Sequence, residues 1–336
     1  MFENEMLAVL CTEWCKYDEL KLTKVSRPKL EMGQARVRVE FAGVSFATTL
    51  VVAGKYQRKP PLPFIPGTEV AGEVIEVAGD VSRIKPGDIV FGAIDWGGYA
   101  EEVTAAATNF HILPDGLDMD QAVALAISYP TSYGALVWRA DLKKGETLLV
   151  LGAAGGVGLA AVEIGRLLGA RVLGVVSSQE KKNVIEWYGG ETINIYDLKT
   201  QLMASTNGKG ADVVFDPVGG ENSNQALSCL RPGGRLLSIG YASNTIPKVG
   251  YNILLVKNIS VMGFNYGEYV GWGPVDRRLI HLDHVDTAQQ QLLKWWRTKK
   301  LKPRIHARFK LCDFRKAMAE VVRRKAIGRV LLEIAK

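Results

Sequence analysis

The stretch Thr147-Leu148-Leu149-Val150-Leu151-Gly152-Ala153-Ala154-Gly155-Gly156-Val157-Gly158 limits the possible fold more than any other part of the 336-residue chain. An apolar run breaks into glycines where a helical pattern begins, the order expected of a strand that turns sharply into a helix. Glycines there let backbone approach a pyrophosphate closely, and the amides and positive dipole end of the helix neutralise that anion. The helical pattern runs from Leu159 to Leu168 and stops at Gly169, a residue suited to a helix C-cap; a second apolar run follows from Arg171 to Val176. Strand, helix and strand together take about 30 residues, the context that a dinucleotide-binding turn requires.

The end of the second strand selects the dinucleotide. An acidic residue about 20 positions past the glycines would hold the ribose hydroxyls of NAD. Ser177 and Ser178 stand there instead, followed by Lys181 and Lys182. Hydroxyls and cations suit a 2′-phosphate that a carboxylate would repel, so NADPH is the expected cofactor; Glu180 is the one opposing charge nearby.

Apolar, glycine-bounded runs recur at Ala211 to Asp216, Gly234 to Gly240 and Asn258 to Gly263, separated by stretches long enough for helices such as Asn222 to Leu230. Strands buried on both faces of a parallel sheet read this way, and the alternation predicts a doubly wound sheet over Tyr129 to Asn265. The first ~120 residues differ. Ala35 to Phe41 and Glu69 to Val77 alternate with period two, and turn signals at Lys85-Pro86-Gly87-Asp88, Trp96-Gly97-Gly98 and Pro114-Asp115-Gly116 punctuate them. A compact antiparallel β domain is expected there.

Several separated motifs carry a family resemblance over nearly the entire chain: Gly43-Val44-Ser45, Pro66-Gly67-Thr68-Glu69-Val70-Ala71-Gly72, Lys85-Pro86-Gly87-Asp88, Gly98-Tyr99-Ala100-Glu101, Thr131-Ser132-Tyr133-Gly134, Ala153 to Gly158 and Asp216-Pro217-Val218-Gly219-Gly220. In order and spacing the chain resembles the zinc-free medium-chain dehydrogenases/reductases of the NADPH:quinone oxidoreductase (zeta-crystallin-like) group. The resemblance implies an α/β fold, a GroES-like β-rich catalytic domain plus a Rossmann doubly wound parallel-sheet domain. The catalytic domain spans residues 1–125, completed by 266–336, and the NADPH-binding domain 126–265.

Catalytic zinc needs three protein ligands around an open position. The chain has no Cys and no His between Cys15 and His111, and its only other cysteines are Cys11, Cys229 and Cys312. Zinc-dependent relatives place a cysteine near the position of Ser45 and a histidine where this chain has Thr68, so no metal is expected. Hydride delivery to an acceptor that is already electron-poor remains, either a quinone or a carbon–carbon double bond conjugated to a carbonyl. Orientation, desolvation and a hydrogen bond to the charged oxygen would lower the barrier.

Residue by residue, the resemblance assigns Gly155, Gly156, Val157 and Gly158 to the phosphate turn, Ser177 and Lys181 to the adenosine phosphate, and Tyr196 to a place beside it. Thr131, Gly240, Tyr241 and Phe264 match positions close to the nicotinamide, with plain packing the stronger reading for Phe264. Tyr56 matches a tyrosine near the quinone pocket; it is the catalytic candidate, and packing beneath the Pro60 to Pro66 loop is its equal alternative. The Ser45 and Thr48 positions carry asparagine and aspartate in many relatives, so the pocket is expected to be less polar than theirs. Ser45 and Thr131 complete the candidate catalytic set.

None of the four histidines presents itself as a general acid: His111 follows a strand-like stretch, His281 and His284 flank Asp283, and His306 lies between Arg304 and Arg308. The net charge of +7 is concentrated, since residues 294–336 hold 15 Lys or Arg against 3 Asp or Glu. Apolar Phe314, Ala317, Met318 and Val321 recur at helical spacing among those cations, the mark of a solvated amphipathic helix. No nucleic-acid motif accompanies them, and nucleic acid is not an expected partner. No segment reaches about 18 to 20 consecutive apolar residues, and the N-terminus lacks a cationic start, so no membrane partner and a cytoplasmic location are expected. The resemblance implies a homodimer joined through edge strands such as Asn258 to Phe264. It leaves open an enoyl or alkenal reductase in a biosynthetic pathway, or a non-catalytic NADPH-binding, crystallin-like protein that binds RNA.

Overall fold

The computed structural model describes residues 5–334, which divide into two compact units. Unit 1 comprises residues 5–127, 267–289 and 303–334, and unit 2 comprises residues 128–266 and 290–302. Residues 290–302 thus belong with the nucleotide-type unit, whereas the sequence reading gave all of 266–336 to the catalytic part.

Unit 1 is built on β3 (Gln34–Val44), once β1 (Glu5–Leu10) and β2 (Lys21–Ser26) have paired as a separate antiparallel ribbon. Along β3 the side chains of Ala35, Val37 and Val39 go into the core, while Arg36 and Arg38 face out opposite Glu76 and Glu73 of β4 (Glu69–Val77). Period-two alternation produces that division directly. The helix α1 (Phe46–Val52) follows β3, and β5 (Ile89–Ala93), β6 (Glu102–Ala106), β7 (Phe110–Ile112) and α2 (Met119–Ala126) complete the first segment. β4, β5 and β7 continue the sheet antiparallel on one side of β3, which also pairs with β6.

Unit 2 opens with α3 (Ser128–Tyr133) and a π-helical turn (Gly134–Arg139). Strands β8 (Thr147–Val150), β9 (Arg171–Val176), β10 (Glu191–Asn194), β11 (Ala211–Asp216), β12 (Leu230–Ser238) and β13 (Ser260–Gly263) alternate with α4 (Gly156–Leu167), α5 (Gln179–Trp187), α6 (Leu198–Ser205), α7 (Glu221–Ser228) and α8 (Tyr251–Lys257). All six strands are parallel, in the order β10-β9-β8-β11-β12-β13. The order reverses between β8 and β11, the switch point where such sheets bind ligands. β10 escaped the sequence reading because it is short and polar, with only Ile193 buried.

The division between the units falls inside α9 (Leu282–Arg297). The chain then returns to unit 1 as β14 (Ile305–Lys310), α10 (Phe314–Val322) and β15 (Arg329–Glu333). β15 joins β3 antiparallel, but β14 lies parallel to β15. The strands of the first 120 residues pair antiparallel in this sheet, and the parallel pair lies in the returning segment, where α10 supplies the crossover that such a pair requires. Phe314, Ala317 and Met318 of α10 are buried in the unit 1 core.

Candidate functional site

The glycine turn sits at the C-terminal end of β8. Gly152 has a left-handed φ of 57°, and its carbonyl accepts from the amide of Gly155 at 3.0 Å. Gly155 is the N-cap of α4 and brings no side chain to the cap, so the first amides of the helix keep their donors for a ligand. A Cβ on Gly158 would lie 2.2 Å from the Gly152 carbonyl oxygen. The turn therefore closes only around glycine, as a pyrophosphate cradle requires. Ser132 of α3 braces it from behind, its hydroxyl 2.8 Å from the Val157 carbonyl.

The other candidates of unit 2, Thr131 apart, follow the C-terminal ends of strands on the same sheet edge. Ser177 follows β9 and is exposed; Ser178 caps α5, accepting from the Lys181 amide at 3.4 Å. Tyr196 follows β10 and is 87% exposed. Gly240 and Tyr241 follow β12, where the Tyr241 hydroxyl accepts from Ser238 at 3.1 Å. Phe264 follows β13 and packs so tightly on Gly134 that a Cβ there would meet its ring at 2.4 Å. Thr131 is buried in α3.

Two buried carboxyl groups in unit 2 are not among the site residues read from sequence. Asp216 ends β11 and accepts from the amides of Val218 at 2.8 Å and Gly219 at 2.9 Å and from the Ser223 hydroxyl, so it shapes the Asp216 to Gly220 turn beside the glycine turn. Burial pushes its carboxyl above the ordinary value against those hydrogen bonds. Glu163, on the buried face of α4, accepts from the Tyr129 hydroxyl and from the Lys302 amide at 2.8 Å. Burial pushes it up to about 7, opposed by those two donors and by Arg166 and Lys302. The available signals were a charged residue inside an apolar helix face for Glu163 and a carboxylate closing an apolar strand for Asp216.

Unit 1 holds an open pocket. Tyr56 lines it, as do Thr48, Thr68 and Phe64. No described residue hydrogen-bonds the Tyr56 hydroxyl, and burial pushes the phenol above its ordinary range, with Arg58 pulling the other way. It is a neutral hydroxyl donor at physiological pH. Ser45 is not among the residues lining this pocket; its Oγ accepts from the Thr48 amide at 3.3 Å as the N-cap of α1. Thr48, 3.1 Å from Ser45 between hydroxyls, reaches the pocket in its place.

Arg58, Asp95, Trp96 and Trp272 also line the pocket and were missed. Arg58 donates to Asp95 Oδ1 at 2.5 Å and lies 4.6 Å from the Trp96 ring centroid. The signal available was an Asp-Trp pair directly before the Gly97-Gly98 turn. His111 is half-buried at 3.7 Å from Asp286, and desolvation pulls it down to about 4. Among the described residues no three His, Cys, Asp or Glu side chains converge as a metal would need. Part of the basic C-terminal run is spent internally: Arg308 pairs with Asp120, Arg329 with Glu69, and Arg315 donates to the carbonyls of Asp18 and Leu20. No described helix is long and apolar enough to cross a membrane.

A β unit with this pocket, joined in one chain to a parallel-sheet unit with a glycine turn at its switch point, is the build of a medium-chain dehydrogenase/reductase. Family models agree: the alcohol dehydrogenase GroES-like domain matches residues 31–115 and the zinc-binding dehydrogenase model residues 156–279. Quinone oxidoreductase-like protein 2 homolog of Nematostella vectensis is 38% identical over 331 residues, 97% of this chain and 88% of that protein. The crystal structure of a probable oxidoreductase from Mycobacterium abscessus is 34% identical, with a TM-score of 0.85 over 98% of this chain and 99% of that one. The Escherichia coli quinone oxidoreductase complexed with NADPH is 27% identical, with a TM-score of 0.88 over 98% and 99% of the two chains. The chain belongs to the quinone oxidoreductase group of the medium-chain dehydrogenase/reductase superfamily.

Proposed function

We propose that this protein is an NADPH-dependent, zinc-independent oxidoreductase that reduces quinones or other conjugated carbonyl acceptors. The observation that carries it is the Gly152 to Gly158 turn, whose closure leaves no room for a side chain at Gly158 and whose helix amides are uncapped. That cradle fits a dinucleotide pyrophosphate, and Ser177 with Lys181 suits the 2′-phosphate of NADPH. When bound, NADPH supplies the hydride.

The protein's own part is binding and charge control. The pocket of unit 1 takes the acceptor, and the Tyr56 hydroxyl donates to its carbonyl oxygen. Ser45 and Thr68 stand where zinc-dependent relatives have metal ligands, and hydroxyls are poor ligands for zinc, which favours acceptors that need no Lewis acid. Homodimerisation through the sheet edge is part of this reading: β13 is an edge strand, and Val261 on it and Leu255 on α8 are exposed apolar residues. Sedimentation as a monomer at micromolar concentration would refute the dimer. A reducing, cytoplasmic setting agrees with the four free cysteines.

The test is NADPH oxidation followed at 340 nm with 1,4-benzoquinone, 9,10-phenanthrenequinone, an enal, an enone and an enoyl-CoA, repeated with NADH. Turnover with NADPH and at least one acceptor is expected. NADPH binding without turnover of any acceptor would leave a binding role, to be tested next as salt-sensitive affinity for RNA.

A further inference from the structure

Arg58 is a cation held in the pocket with its donors only partly used. Its Nη2 donates to Asp95 Oδ1 at 2.5 Å and its Nη1 to the Asp95 carbonyl at 3.3 Å. A guanidinium carries five N–H donors. The remaining ones have no acceptor among the described residues. Trp96 and Trp272, with ring centroids 4.6 and 5.9 Å from the guanidinium carbon, fix its plane by cation–π attraction.

Asp95 does not belong to Arg58 alone. Its Oδ2 accepts from Arg278 at 3.2 Å, and Arg278 is held in turn by Asp276 at 2.8 Å. One carboxylate thus faces two guanidinium groups. The second carboxylate, on Asp276, is 54% exposed and its charge is screened by solvent. This corner of the pocket keeps a cationic bias and uncommitted donors, while Val51, Phe64 and Pro66 make other parts of the lining apolar. Arg58 is two residues from Tyr56, so a single loop brings both donors to the pocket.

Building on the function proposed above, we propose that Arg58 donates to the acceptor's carbonyl oxygen and stabilises the negative charge that collects there, which extends the substrate class to weakly electrophilic quinones and enones. The hydride from NADPH brings two electrons to the acceptor, the charge passes to oxygen, and a proton from water completes the reduction as NADP⁺ leaves. A fixed, part-buried guanidinium stabilises that oxygen more than a hydroxyl does. The help matters most where the acceptor is least electron-poor. Arg58 therefore acts on the slope of rate against acceptor strength, beyond its effect on any single rate.

The experiment measures kcat/KM for 1,4-benzoquinone, menadione, duroquinone and 3-penten-2-one, in order of falling electron demand, in the full-length protein and in Arg58→Gln and Arg58→Lys. For Arg58→Gln the expected loss is under roughly tenfold with benzoquinone and on the order of 100-fold with the weakest acceptor the wild type reduces. Arg58→Lys keeps the cation but loses the fork, and should show the same order with smaller losses. NADPH Kd, read by nucleotide fluorescence, stays unchanged in both and serves as the folding control. An equal loss on every acceptor, or no loss, overturns the role of Arg58 while the reductase reading stands. Wild-type protein that binds NADPH and reduces none of the four overturns both.

Discussion

Gly158 and Gly152 are locked together across the nucleotide turn: a Cβ on Gly158 would lie 2.2 Å from the Gly152 carbonyl oxygen, and 2.9 Å from its carbonyl carbon. The obstacle is backbone on both sides, so it cannot rotate away as a side chain would. Gly158→Ala must push α4 off β8 or open the turn, and either movement spoils the amides aimed at the pyrophosphate. The expected cost is about 2 kcal/mol, roughly 30-fold in NADPH Kd. Titration of nucleotide fluorescence measures it, and a Kd within twofold of wild type would show that the turn is not the phosphate site.

The choice between cofactors rests on Ser177, exposed at the end of β9, and on Lys181 one helical turn further. Ser177→Asp places a carboxylate that would repel a 2′-phosphate and would accept hydrogen bonds from the ribose hydroxyls of NADH. The ratio of kcat/KM for NADPH over NADH should fall by roughly 10- to 100-fold, mostly through KM for NADPH. An unchanged ratio would place the discrimination elsewhere.

Glu163 makes stability depend on pH. Its folded pKa, about 7, lies above its ordinary value of 4.5, so the folded state binds the proton more tightly than the unfolded state does. The stabilising contribution is full below about pH 4.5 and is lost as pH rises through 7, a swing of roughly 3 kcal/mol at most. Glu163→Gln removes the titration. Its melting temperature relative to wild type should therefore rise between pH 5 and 8, and a constant difference across that range would refute the assignment.

The fold was legible because its strongest patterns are local. Ala35 to Phe41 and Arg171 to Val176 announce themselves by period two and by an unbroken apolar run, and both recur as β3 and β9. β10 was not legible, since one buried Ile193 makes no pattern. The parallel pairing of β14 with β15 is equally silent in sequence, for it depends on where the chain returns after α10. At the site, glycines were readable because their reason is backbone geometry. Arg58 and Trp272 were not, because they lie more than 200 positions apart and meet only in the folded unit. Ser45 shows why a hydroxyl at the end of a strand is ambiguous in sequence: it serves a helix N-cap as readily as a substrate, and here it accepts from the Thr48 amide.

Tyr56 lines the pocket with no hydrogen-bond partner among the described residues, and burial raises its pKa above the ordinary phenol value. Both facts bear on one use, donation of a hydrogen bond to an acceptor oxygen as charge builds there. A raised pKa keeps the proton on the phenol throughout pH 6 to 9, so Tyr56 should introduce no inflection into the kcat profile over that range. Tyr56→Phe keeps the ring and its packing but deletes the donor. The expected result is a fall in kcat of roughly 10- to 100-fold, with NADPH Kd and melting temperature within error of wild type. A fall in melting temperature with kcat preserved would assign the residue to packing beneath the Pro60 to Pro66 loop, and would leave Arg58 as the pocket's donor.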